Sequence, residues 1–306
     1  MRERLQPIAL VAVALIGCGE AEPGPGPVPE PPPGPPEPIV VMTFNVMCSF
    51  CGASEYDPWD TRLGYFEDIF ARHDPDLVGL QELAFPAEVE QMLALRPGFA
   101  AVFYQPEDAV PYPDPTVLYR TDRFELLSHG FYWLSPTPDV PSSTGFAEHQ
   151  LPRVVAWTEL RDRRSRRQLL FATTHFDNNS PSQELSAPLL LERTAPWAAR
   201  MPVVVVGDFN SQPEDEAFRV LTEQGNAGLT LADTQPLASK WSVDTNQSPA
   251  PAYDLAGRID HIFVAPAAEQ WTVGAWSADL HVFGDEQRYP SDHWPITATL
   301  TTPDSP

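Results

Sequence analysis

From Gly19 to Pro38 the chain reads GEAEPGPGPVPEPPPGPPEP, almost wholly Pro, Gly and Glu, and such a stretch cannot build a hydrophobic core. It favours extended polyproline geometry at about 3.1 Å per residue, so it reads as a semi-rigid spacer without chemistry of its own. Folding is thereby confined to the part of the chain beyond Pro38, roughly 260 residues, a length that suits one large domain or two small ones. No internal repeat and no second linker interrupts this part, so a single domain over residues 39–302 is expected.

Ahead of the spacer, Arg2 and Arg4 precede an apolar stretch, Ile8 to Ile16, closed by Leu15-Ile16-Gly17-Cys18. A basic start, a short apolar run and small residues at its end form the pattern of a secretory signal. The run is shorter than the about 20 apolar residues a bilayer span requires. Leu-Ile-Gly-Cys also resembles the bacterial lipoprotein box. Residues 1–17 are therefore expected to be a signal peptide, Cys18 a lipidated first residue, and residues 18–38 a tether to a membrane. The alternative is a plain signal with an incidental cysteine. Either way an exported protein is predicted, at the periplasm or the cell surface, and a monomer.

Net charge is -23. A body this acidic repels polyanions at long range and gains nothing overall from counterion release, which weighs against generic nucleic-acid binding. A local cleft or a metal ion can reverse that sign.

Within the domain, short apolar runs at Ile39–Val46, Leu77–Leu80 and Val203–Val206 read as buried strands. Further strands are predicted at Ala100–Tyr104, Thr116–Arg120, Glu125–Trp133, Ile259–Val264 and Ile296–Leu300. Val154–Leu160 and Gln168–Thr174 flank RDRRSRR as a hairpin. Helices are predicted over Thr61–Arg72, with Leu63, Phe66, Ile69 and Phe70 on one face, over Pro86–Leu95, opened by its proline, over Ser182–Ala199 and over Glu214–Leu221. Strands outnumber helices and occur both in hairpins and in β-α units, which favours an α+β layered sandwich with mixed sheets.

Polar groups recur where these strands end. Asn45 closes the first run, and Glu82 follows the second in LVGLQEL. His175 and Asp177 follow LLFATTHFD, while Asp208 and Asn210 follow VVVVGDFN. Asp260 and His261 open RIDHIFV, and Asp292 and His293 lie in YPSDHWPITATL just before the last strand. Each motif alone is also compatible with a core strand and a turn, or with a helix cap.

The ordered set Asn, Gln-Glu, Thr-His-x-Asp, Gly-Asp-x-Asn, Arg-Ile-Asp-His and Ser-Asp-His-x-Pro resembles the endonuclease/exonuclease/phosphatase superfamily, the deoxyribonuclease-I-like fold. The resemblance runs from about Ile39 to Leu300, and Gly-Asp-Phe-Asn and Ser-Asp-His-Trp-Pro are its most specific parts. It implies a four-layer α/β/β/α sandwich of two mixed β-sheets and a metal-dependent phosphoesterase, with phosphodiesterase as the expected reaction. Cleaving a phosphate ester needs a hard cation on a non-bridging oxygen, an aimed water and neutralisation of developing charge. Carboxylate and amide oxygens suit Mg²⁺, with Mn²⁺ as a substitute.

By that resemblance Glu82, Asn45 and Asp292 would hold the ion, Asp208 would orient or deprotonate the attacking water, and Asn210 would hold the phosphate or that water. His293 would contact the phosphate with its tautomer set by Asp260, and His175 would supply a second contact. Asp177, Asn178 and Arg153 are expected at the substrate. Relatives often carry His where Asn178 stands, and Asn cannot be a cation. Tyr is commoner where His261 stands, which is read as a packing variant.

Antiparallel pairing of the Val154–Leu160 and Gln168–Thr174 strands puts Arg153 and His175 at one open end. The basic turn Arg161–Arg167 then lies roughly 23 Å away, at about 3.3 Å per residue, and reads as solvated rather than as a nucleic-acid patch.

The signatures of the superfamily's inositol phosphatases and abasic-site endonucleases are missing. The stretch FYWLSPTPDVPSSTGFAEHQLPR resembles a segment of uncharacterised secreted bacterial members. Substrate candidates are extracellular nucleic acid, a phospholipid head group or a small phosphorylated metabolite. A head-group enzyme would need an exposed aromatic hairpin, for which Trp241 and Trp271–Trp276 are candidates although they read better as core. The rival readings are a catalytically silent binding lipoprotein on the same fold and a thiol–disulfide oxidoreductase. For the second, Cys48 and Cys51 lack the βαβ setting. With Cys18 assigned to lipid, these two cysteines remain, too few for a closed zinc site. In an oxidising compartment a short disulfide, rather than two free thiols, is expected to stiffen the loop after Asn45.

Overall fold

The computed structural model describes residues 34–52, 54–105, 114–146, 151–266 and 270–303. The expectations for the signal segment, for Cys18 and for most of the tether lie outside these residues. Among the described residues no helix is long and apolar enough to cross a membrane.

Alternation along the first strand, β1 (Ile39–Asn45), shows how the layers arise. Ile39 and Val41 pack in a core shared with the other sheet, while Met42 and Phe44 pack with Phe66, Ile69 and Phe70 of α1 (Trp59–His73). Successive side chains of a strand point to opposite faces, so an apolar residue at every position requires cover on both sides. The run Val203–Val206 does the same for the second sheet. Val204 and Val206 face the inter-sheet core, and Val203 and Val205 pack with Leu190 and Leu191 of α3 (Ser182–Ala198). Each such buried side chain contributes roughly 1.5–3 kcal/mol.

The first sheet also contains β2 (Leu77–Gln81), β3 (Phe99–Val102) and β4 (Thr116–Arg120), and α2 (Pro86–Leu95) lies between β2 and β3 in sequence. The second sheet starts with β5 (Phe124–Trp133), β6 (Val154–Asp162), β7 (Gln168–His175) and β8 (Val203–Asp208). After α4 (Glu216–Arg219) and a π-helical turn at Val220–Gln224 come β9 (Ala232–Asp233), α5 (Thr234–Leu237), β10 (Lys240–Asp244), β11 (Asp260–Ala265), β12 (Thr272–Asp279) and β13 (Ile296–Thr301).

One sheet has the order β10-β12-β13-β1-β2-β4-β3 and the other β5-β6-β7-β8-β11-β9. Both are mixed: β1–β2, β10–β12 and β7–β8 pair parallel and the remaining neighbours antiparallel. The fold is the four-layer α/β/β/α sandwich that the sequence implies.

Register then gathers the functional ends. Asn45 pairs with Gln81, His175 with Asp208 and Asp208 with Asp260, while β13 starts opposite Thr43. At Gly79 the facing sheet leaves no room for a side chain. A Cβ at Gly79 would lie 2.3 Å from Val206 Cγ2 and 2.6 Å from Thr173 Oγ1. Gln81 Nε2 ties the layers there by donating to Thr173 Oγ1 at 3.0 Å and to the Gly79 carbonyl at 3.1 Å.

Three differences from the sequence reading have physical causes. β12 is not predicted, because Gly274 and a register shift between Val273 and Trp276 break the alternation. The edge strand β10 is mostly exposed and shows no apolar periodicity. The helix expected at Glu214–Leu221 starts later and widens into the π turn. Trp271 and Trp276 are buried in the inter-sheet core, so neither forms an exposed aromatic hairpin, and Trp241 on β10 is 47% exposed.

Candidate active site

Asn45 is fully buried at the end of β1. Its Oδ1 accepts the Met47 N–H at 3.0 Å, which turns its amide nitrogen outward. That nitrogen donates to Glu82 Oε1 and to Asp208 Oδ2, both at 3.1 Å. The residue expected as a metal ligand therefore stands as a bridge between two carboxylates from different sheets.

Glu82 follows β2 with φ 68°, a left-handed conformation that a glutamate adopts only when its surroundings over-determine it. Those surroundings are its own N–H bound to Asp114 Oδ1 at 2.9 Å and its Oε2 accepting the Cys48 N–H at 2.8 Å. Asp292 is exposed and joins the group through Ser291, whose Oγ lies 2.7 Å from the Asn45 carbonyl and 3.2 Å from Asp292 Oδ1.

Arg62, buried within α1, binds the carbonyls of Val46, Met47, Cys48 and Pro290, fastening the loop after β1 to the loop before β13. Sequence periodicity shows the apolar face of α1 but not this arginine. Burial pushes its guanidinium below the ordinary value, against the pull of Asp292, Glu88 and Glu82.

Asp208 closes β8 and is buried. Its Oδ1 accepts the Asn210 N–H at 2.9 Å, and its Oδ2 lies 3.4 Å from His175 Nε2 and 3.6 Å from His293 Nε2. Burial alone would raise its pKa. The two imidazoles, the Asn210 N–H and the Asn45 amide outweigh that and hold it below the usual carboxylate range.

His293 Nδ1 lies 2.8 Å from Asp260 Oδ2, the pairing expected from sequence. Burial would push the imidazole down. Asp260 and then Asp208 and Asp292 push it up instead, to about 10. Asp260 itself is raised by burial despite His293, and its Oδ1 is buried without a protein partner.

Other expectations are placed differently. His175 is 6% exposed, with Nδ1 3.0 Å from Asp114 Oδ2 and Nε2 3.4 Å from Asp208 Oδ2, so it stands buried between two carboxylates. Burial lowers its pKa, but Asp114 and Asp208 win and raise it. Asp114, like Arg62, is a residue that sequence reasoning missed. It stands in PYPDPT, where an Asp-Pro ahead of a strand reads as an ordinary turn.

Arg153 does lie at this end, 3.9 Å from the same Asp114 oxygen. The Asn210 side chain donates to the Phe176 carbonyl at 3.0 Å. Asp177 is buried, and one Asn179 amide spans its Oδ1 and the Oδ1 of the exposed Asn178 at 2.9 Å each, so the structure draws neither residue to Asp208.

Cys48 and Cys51 are joined as a disulfide with Cα atoms 5.1 Å apart. The loop they close carries Phe50, 66% exposed, whose ring lies 6.0 Å from that of the exposed Phe85.

His261 is a buried packing residue, with ring contacts to Phe209, Phe218 and Phe263, and its Nε2 donates to the Ser211 carbonyl at 2.9 Å. Burial drives its pKa from 6.5 down to about 4. Since the folded value lies below the unfolded one, the unfolded chain binds the extra proton first. The contribution of His261 to stability is therefore complete above about pH 6.5 and is lost, by about 3 kcal/mol, as pH drops toward 4. Chemical denaturation of wild type and His261→Phe between pH 7.5 and 4.5 should show a flatter profile for the variant; parallel profiles would sink this assignment.

The sequence matches the Endonuclease/Exonuclease/phosphatase family over residues 42–293. An endonuclease/exonuclease/phosphatase family protein from Bacteroides thetaiotaomicron superposes with a TM-score of 0.74 at 25% identity, over 87% of this chain and 96% of that one. A mannosyl-6-phosphatase from the same organism gives 0.73 at 26%, over 86% and 99%. Protein angel of Drosophila melanogaster is 23% identical over 208 residues, which is 65% of this chain and only 56% of that relative's length. With this match over most of its length, the chain belongs to the Endonuclease/Exonuclease/phosphatase family.

Proposed function

We propose that the chain is a divalent-metal-dependent phosphodiesterase that acts outside the cytoplasm. The observation that carries this reading is the junction of Asn45, Glu82, Asp208 and His293 at one edge of both sheets. Glu82 and Asp292 would offer carboxylate oxygens, which suit Mg²⁺ or Mn²⁺ and not a thiophilic ion, while Asn45, its Oδ1 held by the Met47 N–H, would position Glu82 through its amide nitrogen. Cys48 and Cys51, which also lie near Glu82, are occupied by each other. A bound cation would withdraw charge from a non-bridging phosphate oxygen and make a bound water more acidic.

The chain's own residues do the rest. Asp208, kept ionised by its neighbours, orients the attacking water and takes its proton as the bond from that water to phosphorus forms and the opposite ester P–O bond breaks, the alcohol leaving with a proton from solvent. His293, held by Asp260, presents a protonated Nε2 beside that carboxylate and neutralises charge that develops on the phosphate. His175 and Asp114 hold Asp208 from behind, and Asn45 fixes its distance from Glu82.

Charge supports a diester. His293, His175 and Arg153 face Asp208, Asp260, Asp114, Glu82 and Asp292, so one divalent cation brings the site near neutrality. Little positive surplus remains for a dianionic monoester. A second reading, monoester hydrolysis, is supported by the likeness to the mannosyl-6-phosphatase. Action outside the cytoplasm rests on the signal-like start and on the Cys48–Cys51 bond, which persists in oxidising compartments.

The test is hydrolysis of bis-p-nitrophenyl phosphate, p-nitrophenyl phosphate, DNA and RNA with Mg²⁺, Mn²⁺ or EDTA. Turnover of the diester that EDTA abolishes and Mg²⁺ restores is expected. Activity indifferent to EDTA would remove the metal from the mechanism, and no turnover of any ester would favour the silent binding protein.

A further inference from the structure

Next to His293 the surface sinks into a cavity of about 380 Å³, most of whose lining the chemistry above does not use. Its walls include Tyr253, Asp254, Tyr289, Asp292 and Trp294, together with Asp260 and His293. The Tyr289 and Trp294 rings are 4.4 Å apart at 69°, so they form a corner, and the Tyr253 ring is backed by the buried Trp276. The Tyr289 hydroxyl is already engaged, accepting from Gln247 Nε2 at 3.2 Å.

The charges left over in this cavity are negative. Arg258 also lines it, but its guanidinium is taken by Asp233 and the Leu255 carbonyl, and His293 is taken by Asp260. Asp254 and Asp292 are both exposed. If Asp292 holds a metal ion, Asp254 still has no cationic partner among the described residues. Gly257 makes room for it, since a Cβ there would lie 2.6 Å from Asp254 Oδ2.

Aromatic faces present the negative side of a quadrupole, so rings and carboxylate here favour the same guest, a cation with apolar skin. A nucleotide's extra phosphates meet repulsion, and a neutral sugar draws nothing from the charge. The volume falls within the range of small-molecule sites, about 300–1,000 Å³. We propose that this cavity receives the alcohol portion of the substrate and that this portion carries an alkylammonium group, as in a phosphocholine ester. The proposal rests on the phosphoesterase reading and names its substrate class.

The test compares, on the full chain with Mg²⁺, p-nitrophenyl phosphorylcholine with its uncharged isostere, p-nitrophenyl 3,3-dimethylbutyl phosphate. The cationic ester should have a kcat/KM about tenfold higher, and Asp254→Asn and Trp294→Leu should each narrow that ratio toward one. Choline chloride should inhibit competitively beyond sodium chloride at equal ionic strength. Equal rates for the two esters, or a preference for mannose 6-phosphate, would overturn the cavity assignment while bis-p-nitrophenyl phosphate turnover keeps the phosphoesterase standing. Failure to hydrolyse any ester would overturn both. Glycerophosphocholine and phosphatidylcholine vesicles then separate the sources: cleavage of either supports the proposal and identifies a soluble or a lipid ester, and cleavage of neither overturns it.

Discussion

Asp208→Asn is expected to lower kcat/KM for bis-p-nitrophenyl phosphate about a thousandfold, roughly 4 kcal/mol of transition-state stabilisation. The substitution preserves shape and removes the charge. That charge is what His175 Nε2 at 3.4 Å and His293 Nε2 at 3.6 Å both face, so its loss also weakens the hold on two protons. The Asn210 N–H can still donate to the remaining oxygen, while the Asn45 amide, which donates to the other oxygen in the wild type, loses that one bond, so the fold should survive with a modest loss of stability. Steady-state kinetics beside a thermal melt decide the matter. A folded variant with activity within tenfold of wild type would show that Asp208 is not the carboxylate that handles the water.

His293→Ala is expected to cost about a hundredfold to a thousandfold in kcat, with KM changed much less, because its contact with charge grows toward the transition state. Asp260→Asn should cost less, about tenfold to a hundredfold. Asp260 acts through the imidazole it orients, by the 2.8 Å contact to Nδ1, and removing the carboxylate removes the first support for a pKa of about 10. The double variant should be no worse than His293→Ala alone, since residues that act as a unit are not additive. Additive losses in this cycle would mean that Asp260 touches substrate itself.

The strand-end chemistry is legible in the sequence because it is local. An apolar run that ends in Asn, Glu, His or Asp carries its own register, and Val203–Asp208 and Leu77–Gln81 fold as they read. Gly-Asp-Phe-Asn and Ser-Asp-His-Trp-Pro carry the resemblance to the Endonuclease/Exonuclease/phosphatase family without any tertiary contact. The pairing of Cys48 and Cys51 is expected from their number and from an oxidising compartment, and the structure joins them.

Features that depend on distant pairing are not legible in this way. The amide orientation of Asn45 is decided by Met47 on one side and by Asp208, 163 residues away, on the other. Asp114 meets His175 across 61 residues, and only that meeting makes a turn-like Asp-Pro into a support of the site. Arg62 finds the Pro290 carbonyl 228 residues on. The exposed Phe50 and Phe85 become a pair only once the disulfide loop and α2 are folded beside each other.

By itself the sequence determined the layers and the kinds of group at the active edge, since alternation and strand ends are set by neighbours along the chain. The tertiary structure alone decided which carboxylate meets which imidazole. Those contacts lie between strands of two sheets, and only the packed sandwich sets their distances and their protons.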